Sequence, residues 1–205
     1  DLESYGKPLI FVDSNTLYLG HSCVTTDLED SVITALEHFL EHGHKEIGLL
    51  VGQEETADAT PLQMDPRQRT FQQYLTEKGL YQERFISVGH FSTESGYQMM
   101  EQLIQALGDN LPTAFFMASD ALAVGALRSL QEHQIAVPER VSLISFNDTS
   151  IAKYVFPALS TVTVYTEEMG KQAIQMLRQT FQGAQPSVPY MVKLATKLTI
   201  RDSSR

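Results

Sequence analysis

Short, wholly apolar runs alternate along the chain with longer segments whose apolar residues recur at helical spacing. This alternation predicts strand–helix units feeding a parallel sheet. PLIFVD (8–13) reads as a short buried strand, and the residues around Val24 as a second extended piece. Leu28, Val32, Ala35, Leu36, Phe39 and Leu40 keep a helical period up to Gly43, which suits the left-handed position that closes a helix. IGLLVG (47–52) follows as a strand, and the polar, acidic stretch from Gln53 to Pro66 as a long loop at its carboxyl end. From Arg67 a helix carries Phe71, Tyr74 and Leu75 and ends near Gly79, with FISV (85–88) as the next strand. Ser92 or Thr93 caps a helix whose predicted stripe is Tyr97, Met100, Leu103, Ile104 and Leu107.

AFFMA (114–118) and VSLISF (141–146) are two more buried strands, separated by a helix that starts at Ser119-Asp120 and buries Leu122, Ala123, Ala126, Leu127 and Leu130. Past Asn147-Asp148 the regularity loosens until STVTV (160–164). Thr166 then caps a helix through Met169, Ala173, Ile174, Leu177 and Phe181, and a linker with Gly183, Pro186 and Pro189 leads to the β-rich tail 190–200. Right-handed crossovers put the helices on both faces of the sheet and gather the loops at the strands' carboxyl edge, where a small molecule would bind. Only seven residues precede the first strand, so the first lobe is expected to be incomplete.

Composition narrows the function. Among 205 residues, 15 Lys and Arg face 25 Asp and Glu, a net charge of −10, so the average surface repels phosphate and DNA contact has to come from elsewhere. The apolar content of 42% supports a globular core. A single cysteine, Cys23, and the lack of a basic-then-apolar leader point to a reducing cytoplasm, and no apolar run reaches the ~18–20 residues of a membrane helix.

Catalytic signatures are sparse. His38, His42 and His44 lie near one another, but two histidines on a helix's polar face without a third ligand in register read as solvated surface. Ser150 and Lys153 match S-x-x-K without its companion motifs, and the sequence has no P-loop, G-x-G-x-x-G, C-x-x-C or H-E-x-x-H. No enzyme, cofactor or metal site is expected. What remains is a set of strand-end residues: Asp13, Arg67, Phe91, Ser119-Asp120 and Asn147-Asp148. Carboxylate, amide and guanidinium groups suit sugar hydroxyls, and an aromatic ring suits a sugar's C–H face. Each residue also has a purely structural use: Asp120 as a cap, Asp13 and Asp148 in turns, Phe91 in the core, Arg67 on the surface.

The segments HFLEHGHKEIGLLVG (38–52), Arg67 with Phe71, PTAFFMASDALAVGALRSL (112–130), VSLISFND (141–148) and PALSTVTVYTEEMG (157–170) together resemble the effector-binding core of the LacI/GalR family of transcriptional regulators. The resemblance covers nearly the whole chain. It implies a periplasmic-binding-protein-like α/β fold of two lobes, each a parallel sheet flanked by helices, with a sugar in the cleft between them. By position, 1–26 plus 166–189 fall in the partial first lobe and 27–165 plus 190–205 in the second.

The resemblance also implies the roles of particular residues. Asp13 looks like the first-lobe carboxylate of the sugar pocket and Arg67 like the arginine that grips hydroxyls. Phe91 takes the aromatic position, Ser119 a place often held by asparagine, and Asn147 one often held by aspartate. Thr26 and Val164 complete the effector set, Val164 standing where the lactose repressor has a glutamine. A homodimer through Val124, Leu127, Tyr154, Val155 and Phe156 is implied, as is operator DNA bound through a helix-turn-helix headpiece not in this chain. The expected function is the ligand-sensing core of a sugar-responsive repressor, with a galactoside as the favoured effector. A sugar-binding protein of a transport system is the alternative.

Overall fold

The computed structural model describes residues 6–53, 64–184 and 186–205; the loop expected between Gln53 and Pro66 lies mostly outside them. The chain divides into two units, one made of 1–27 and 164–196 and the other of 28–163 and 197–205.

In the first unit, β1 (Ile10–Val12), β2 (Ser22–Thr26) and β8 (Met191–Leu194) form a parallel three-stranded sheet with β2 in the middle. Helix α6 (Thr166–Phe181) lies against β1 and β2. Val24, Met169 and Met176 are its buried centre, with Ile10, Val164, Ala173, Tyr190, Val192 and Leu194 packed around them. The sequence places Ile174 and Phe181 on the buried stripe of α6, yet they are 59% and 69% exposed. Met169, Ala173 and Met176 set the inward face at i, i+4 and i+7, which turns Ile174 away from the sheet. Thr166 is the first helical residue, and the cap position falls on Tyr165, whose side chain makes no capping bond.

The second unit holds a six-stranded sheet in the order β4-β3-β5-β6-β7-β9. Its strands are β3 (Ile47–Gly52), β4 (Ile86–Gly89), β5 (Ala114–Met117), β6 (Ser142–Asn147), β7 (Ser160–Thr163) and β9 (Lys197–Thr199). All pairings are parallel except β9, which runs antiparallel along β7. Strands β3 and β5 are buried at every position, as expected of strands covered on both faces.

Four long helices belong to this unit: α1 (Leu28–Glu41), α2 (Pro66–Glu77), α3 (Thr93–Leu107) and α4 (Asp120–Glu132). Helix α1 buries Val32, Ala35, Leu36 and Phe39 completely. It stops where Gly43 turns left-handed, with Gly43 N–H donating to Leu40 and His44 N–H to Phe39. Helix α3 buries Met100 and Leu103 of the stripe read from its sequence, with Gly96 and Met99 beside them, whereas Tyr97, Ile104 and Leu107 are only partly buried. The reason is its neighbour, because a Cβ at Gly96 would run into the Leu122 carbonyl of α4, and one at Gly125 into the Thr93 carbonyl. The two helix backbones touch where both side chains are absent.

The tail is divided differently from expectation. The family resemblance places residues 190–205 whole in the second lobe. Strand β8 instead pairs with β2, and only 197–205 join the second unit. There Ser203 is fully buried, its hydroxyl donating to the Leu143 carbonyl at 2.7 Å and accepting from the Ser160 N–H at 2.8 Å.

Candidate functional site

In the six-stranded sheet, the connection leaving β3 runs to one side, to β4, and the connection leaving β4 returns past β3 to β5. Right-handed crossovers then send α2 to one face and α3 and α4 to the other, so a crevice opens at the carboxyl ends of β3 and β5. Arg67 sits there.

Local sequence fixes its placement. Asp65 is the N-cap of α2, accepting from the Arg67 N–H at 2.8 Å, and Pro66 occupies the first helical position. The same carboxylate takes two bonds from the guanidinium, Nε to Oδ1 at 2.9 Å and a terminal nitrogen to Oδ2 at 2.7 Å. The other terminal nitrogen donates to the Ala118 carbonyl at the end of β5, at 2.6 Å. The guanidinium carbon lies 4.9 Å from the Phe91 ring centre and 5.3 Å from that of Phe146. Both side chains of the ion pair are nearly covered, at 14% for Arg67 and 12% for Asp65. A guanidinium carries five N–H donors; three are occupied and two have no partner among the described residues.

The aromatic partners are held in turn. Phe91 lies across the end of β3 because Gly52 lacks a side chain; a Cβ there would run into the ring. Phe146 is 2% exposed and meets Phe116 edge-on, with ring centres 6.4 Å apart. Ser119 is the N-cap of α4, accepting from Leu122 N–H at 3.2 Å, and is 7% exposed.

Asn147 ends β6 as an exposed residue at φ 109, and Asp148 follows at φ 57, a left-handed pair rare for residues with side chains. Two carboxylates hold this turn. Asp120, 1% exposed, accepts from Ser145 Oγ at 2.5 Å, Thr149 N–H at 2.6 Å, Thr149 Oγ1 at 2.8 Å and Thr161 Oγ1 at 3.0 Å. Asp148 pairs with Arg201 at 2.6 Å and accepts from Thr163 Oγ1 at 2.9 Å. Asp120 is therefore a structural anchor, and Asn147 is the side chain presented to solvent.

The second unit thus brings Arg67, Phe91, Ser119 and Asn147 to one sheet edge. The remaining expected effector residues belong to the first unit. Asp13 is exposed at the carboxyl end of β1 at φ 61. Thr26 is 7% exposed, its hydroxyl 3.5 Å from Met169 Sδ, and Val164 packs on the Val24–Met169–Met176 core. Those two side chains serve the packing of their own unit.

On the flank of the second unit, Tyr154 and Phe156 are each 84% exposed. They sit at the end of the short helix α5 (Ile151–Tyr154) and just after it, beside a groove of about 450 Å³ lined by Val124, Leu127, Arg128, Gln131, Glu132 and Val155. Leu127 itself is 3% exposed, so it fills the core and only floors the groove.

Asp65, Phe146 and Arg201 escaped the sequence reading. The Asp-Pro pair before Arg67 is a helix-start signal that marks Asp65, whereas the pairing of Asp148 with Arg201 spans 53 positions and leaves no local trace. Among the described residues no three His, Cys, Asp or Glu side chains gather as a metal site. The His38 and His42 rings lie 4.2 Å apart, and His38 Nε2 is buried without a partner. Burial chiefly lowers the pKa of His38 and of His44 below 6.5. Among the described residues no helix is long and apolar enough to cross a membrane.

Comparison with known proteins agrees with this architecture. The model of the periplasmic binding protein-like domain matches residues 36–204. The HTH-type transcriptional regulator GalR of Streptococcus thermophilus is 52% identical over 204 residues, which is 100% of this chain and 61% of that protein. Among solved structures, the complex of the transcriptional regulator CelR with cellobiose superposes with a TM-score of 0.85 at 26% identity, covering 98% of this chain and 60% of that one. The lac repressor dimer bound to operator and the anti-inducer ONPF does so with a TM-score of 0.83 at 25% identity, covering 96% of this chain and 56% of that one. The chain therefore spans about three fifths of the length of these relatives.

Proposed function

The chain belongs to the LacI/GalR family, with a periplasmic binding protein-like core, and from that membership we propose that it is the ligand-sensing part of a sugar-responsive transcriptional repressor. The observation that carries the reading is Arg67. A guanidinium fixed by Asp65 and Ala118, lying against two rings and left with two N–H donors, is built to grip adjacent hydroxyls rather than to stabilise the fold. Phe91 offers its ring to a sugar's C–H face, and Asn147 and the Ser119 hydroxyl supply further polar contacts.

A galactoside is the first candidate, because FPALSTVTVYTEEMG with Asn147-Asp148 before it resembles the galactose-operon branch of the family. The similar CelR structure is a complex with cellobiose, which supports a sugar as the ligand class. Ligand binding alters operator affinity by favouring one conformation of the protein over another, a coupling that is typically ~1–3 kcal/mol. Operator contact comes from a helix-turn-helix outside this chain, in keeping with the HTH-type relative. The protein acts in the cytoplasm as a homodimer. Tyr154 and Phe156 on one copy enter the groove beside α4 on the other, as a self-complementary patch does under two-fold symmetry.

Calorimetric titration with galactose tests the assignment. Arg67→Ala is expected to weaken binding by about 10–100-fold, the worth of hydrogen bonds to a charged group. Arg67→Lys keeps a counter-charge for Asp65 but loses the planar fork, so it is expected to weaken binding as well. Unchanged affinity in both variants overturns the pocket.

A further inference from the structure

Arg67 reaches the ligand with its charge already matched. Asp65 holds both Nε and a terminal nitrogen of the guanidinium within 2.9 Å, and the pair is nearly covered from solvent. A ligand meeting the two remaining N–H groups therefore meets a neutral assembly that still donates hydrogen bonds.

Helix starts reinforce this. Three helices begin at the carboxyl edge of the six-stranded sheet, and helix N-termini ordinarily attract anions through unpaired N–H groups and the helix dipole. Here each start is occupied by the chain's own side chains. Asp65 caps α2, Ser92 caps α3 with Glu94 in its first turn, and Ser119 caps α4 with the buried carboxylate of Asp120 at its first position. A phosphate arriving at this edge finds one N–H of each start already capped and a carboxylate in the cap or first turn of each.

We infer that Asp65 is a specificity-determining residue that makes this site select an uncharged sugar and exclude its phosphate esters. The inference rests on the sugar reading above and adds the charge class of the ligand and the residue that sets it. Asp65 does this by neutralising Arg67 while fixing which two of its donors face the ligand. A site for a sugar phosphate would instead leave the guanidinium unpaired.

The test uses the whole chain, wild type and Asp65→Asn, titrated calorimetrically with galactose and with galactose 6-phosphate at low and at 0.5 M salt. Asparagine keeps the N-cap and nearly the same volume, so the variant removes charge without opening space. Wild type is expected to bind galactose at least tenfold more tightly than its phosphate. In Asp65→Asn that ratio is expected to fall at least tenfold at low salt, and to stay reduced at 0.5 M salt, because partly buried charges are screened little. Equal affinity of wild type for the two sugars overturns the inference and leaves the sugar reading standing. A ratio unchanged in Asp65→Asn means that shape rather than charge rejects the phosphate, and also overturns it. If neither sugar binds wild type, the sugar reading falls and the inference falls with it.

Discussion

At the carboxyl edge of the six-stranded sheet, Arg67 is 14% exposed, makes three hydrogen bonds and lies between two aromatic rings. On the α4–α5 flank of the same unit, Tyr154 and Phe156 are 84% exposed beside an apolar groove. The two regions use aromatic side chains in opposite ways. Phe91 and Phe146 both lie against one guanidinium, which suits the proposed ligand site, since a small ligand is recognised by a few directed hydrogen bonds. Tyr154 and Phe156 offer exposed area, which suits the proposed dimer surface, since a protein surface is bound by desolvating a broad apolar patch. The edge therefore demands positional accuracy, whereas the flank demands only that apolar surface be present.

That contrast can be broken experimentally, and the largest expected effect is on the flank. Joint replacement Tyr154→Ala and Phe156→Ala is expected to raise the dimer dissociation constant by about 30-fold or more, since truncating a central aromatic anchor costs ~2 kcal/mol or more. Sedimentation equilibrium measures it, and galactose affinity is expected to stay unchanged; a dimer constant that does not move removes the flank from the interface.

A smaller effect is expected at the edge from Gly52→Ala, whose methyl group displaces the Phe91 ring. Galactose affinity is expected to fall by about tenfold, ~1.4 kcal/mol, with self-association intact. If a thermal melt shows the variant folded and calorimetry shows wild-type affinity, Phe91 is not part of the ligand face.

The smallest effect belongs to neither region. Burial holds His38 and His44 below the ordinary 6.5, so the unfolded chain binds protons that the folded chain refuses. Stability is then full above about pH 6.5 and declines as pH falls below it, towards the folded-state values. Thermal melts between pH 5 and 7.5 are expected to show this decline, and His38→Gln with His44→Gln to flatten it. An equally steep decline in the double variant assigns the acid sensitivity to other groups.

Much of the fold was legible along the chain because the strands at its centre are covered on both faces and so are apolar throughout, as in IGLLVG and AFFM. Helix ends were legible where a left-handed residue was required, as at Gly43. The stripes of α3 and α6 are legible only in part, at Met100 and Leu103 and at Met169 and Ala173, since several apolar residues lie within one turn of each other and the neighbour decides which of them face inward. In α3 the deciding contact is glycine against the α4 backbone. At the site, Arg67, Phe91 and Asn147 were legible as chemistry at strand ends. Asp65 and Phe146, which give Arg67 its orientation, were not read as parts of the site.

Local pattern by itself thus determined the alternation of strands and helices, the acidic surface, the family resemblance and the residue types offered at the sheet edge. Each of these depends on neighbours within a helical turn or on composition. Tertiary structure decided the rest: that β8 joins β2 while β9, two residues later, joins β7; that Asp148 meets Arg201; and that the Ala118 carbonyl and two rings meet the guanidinium of Arg67. Most of those contacts join residues far apart in the chain, and their energies depend on burial and distance, which only the folded chain supplies.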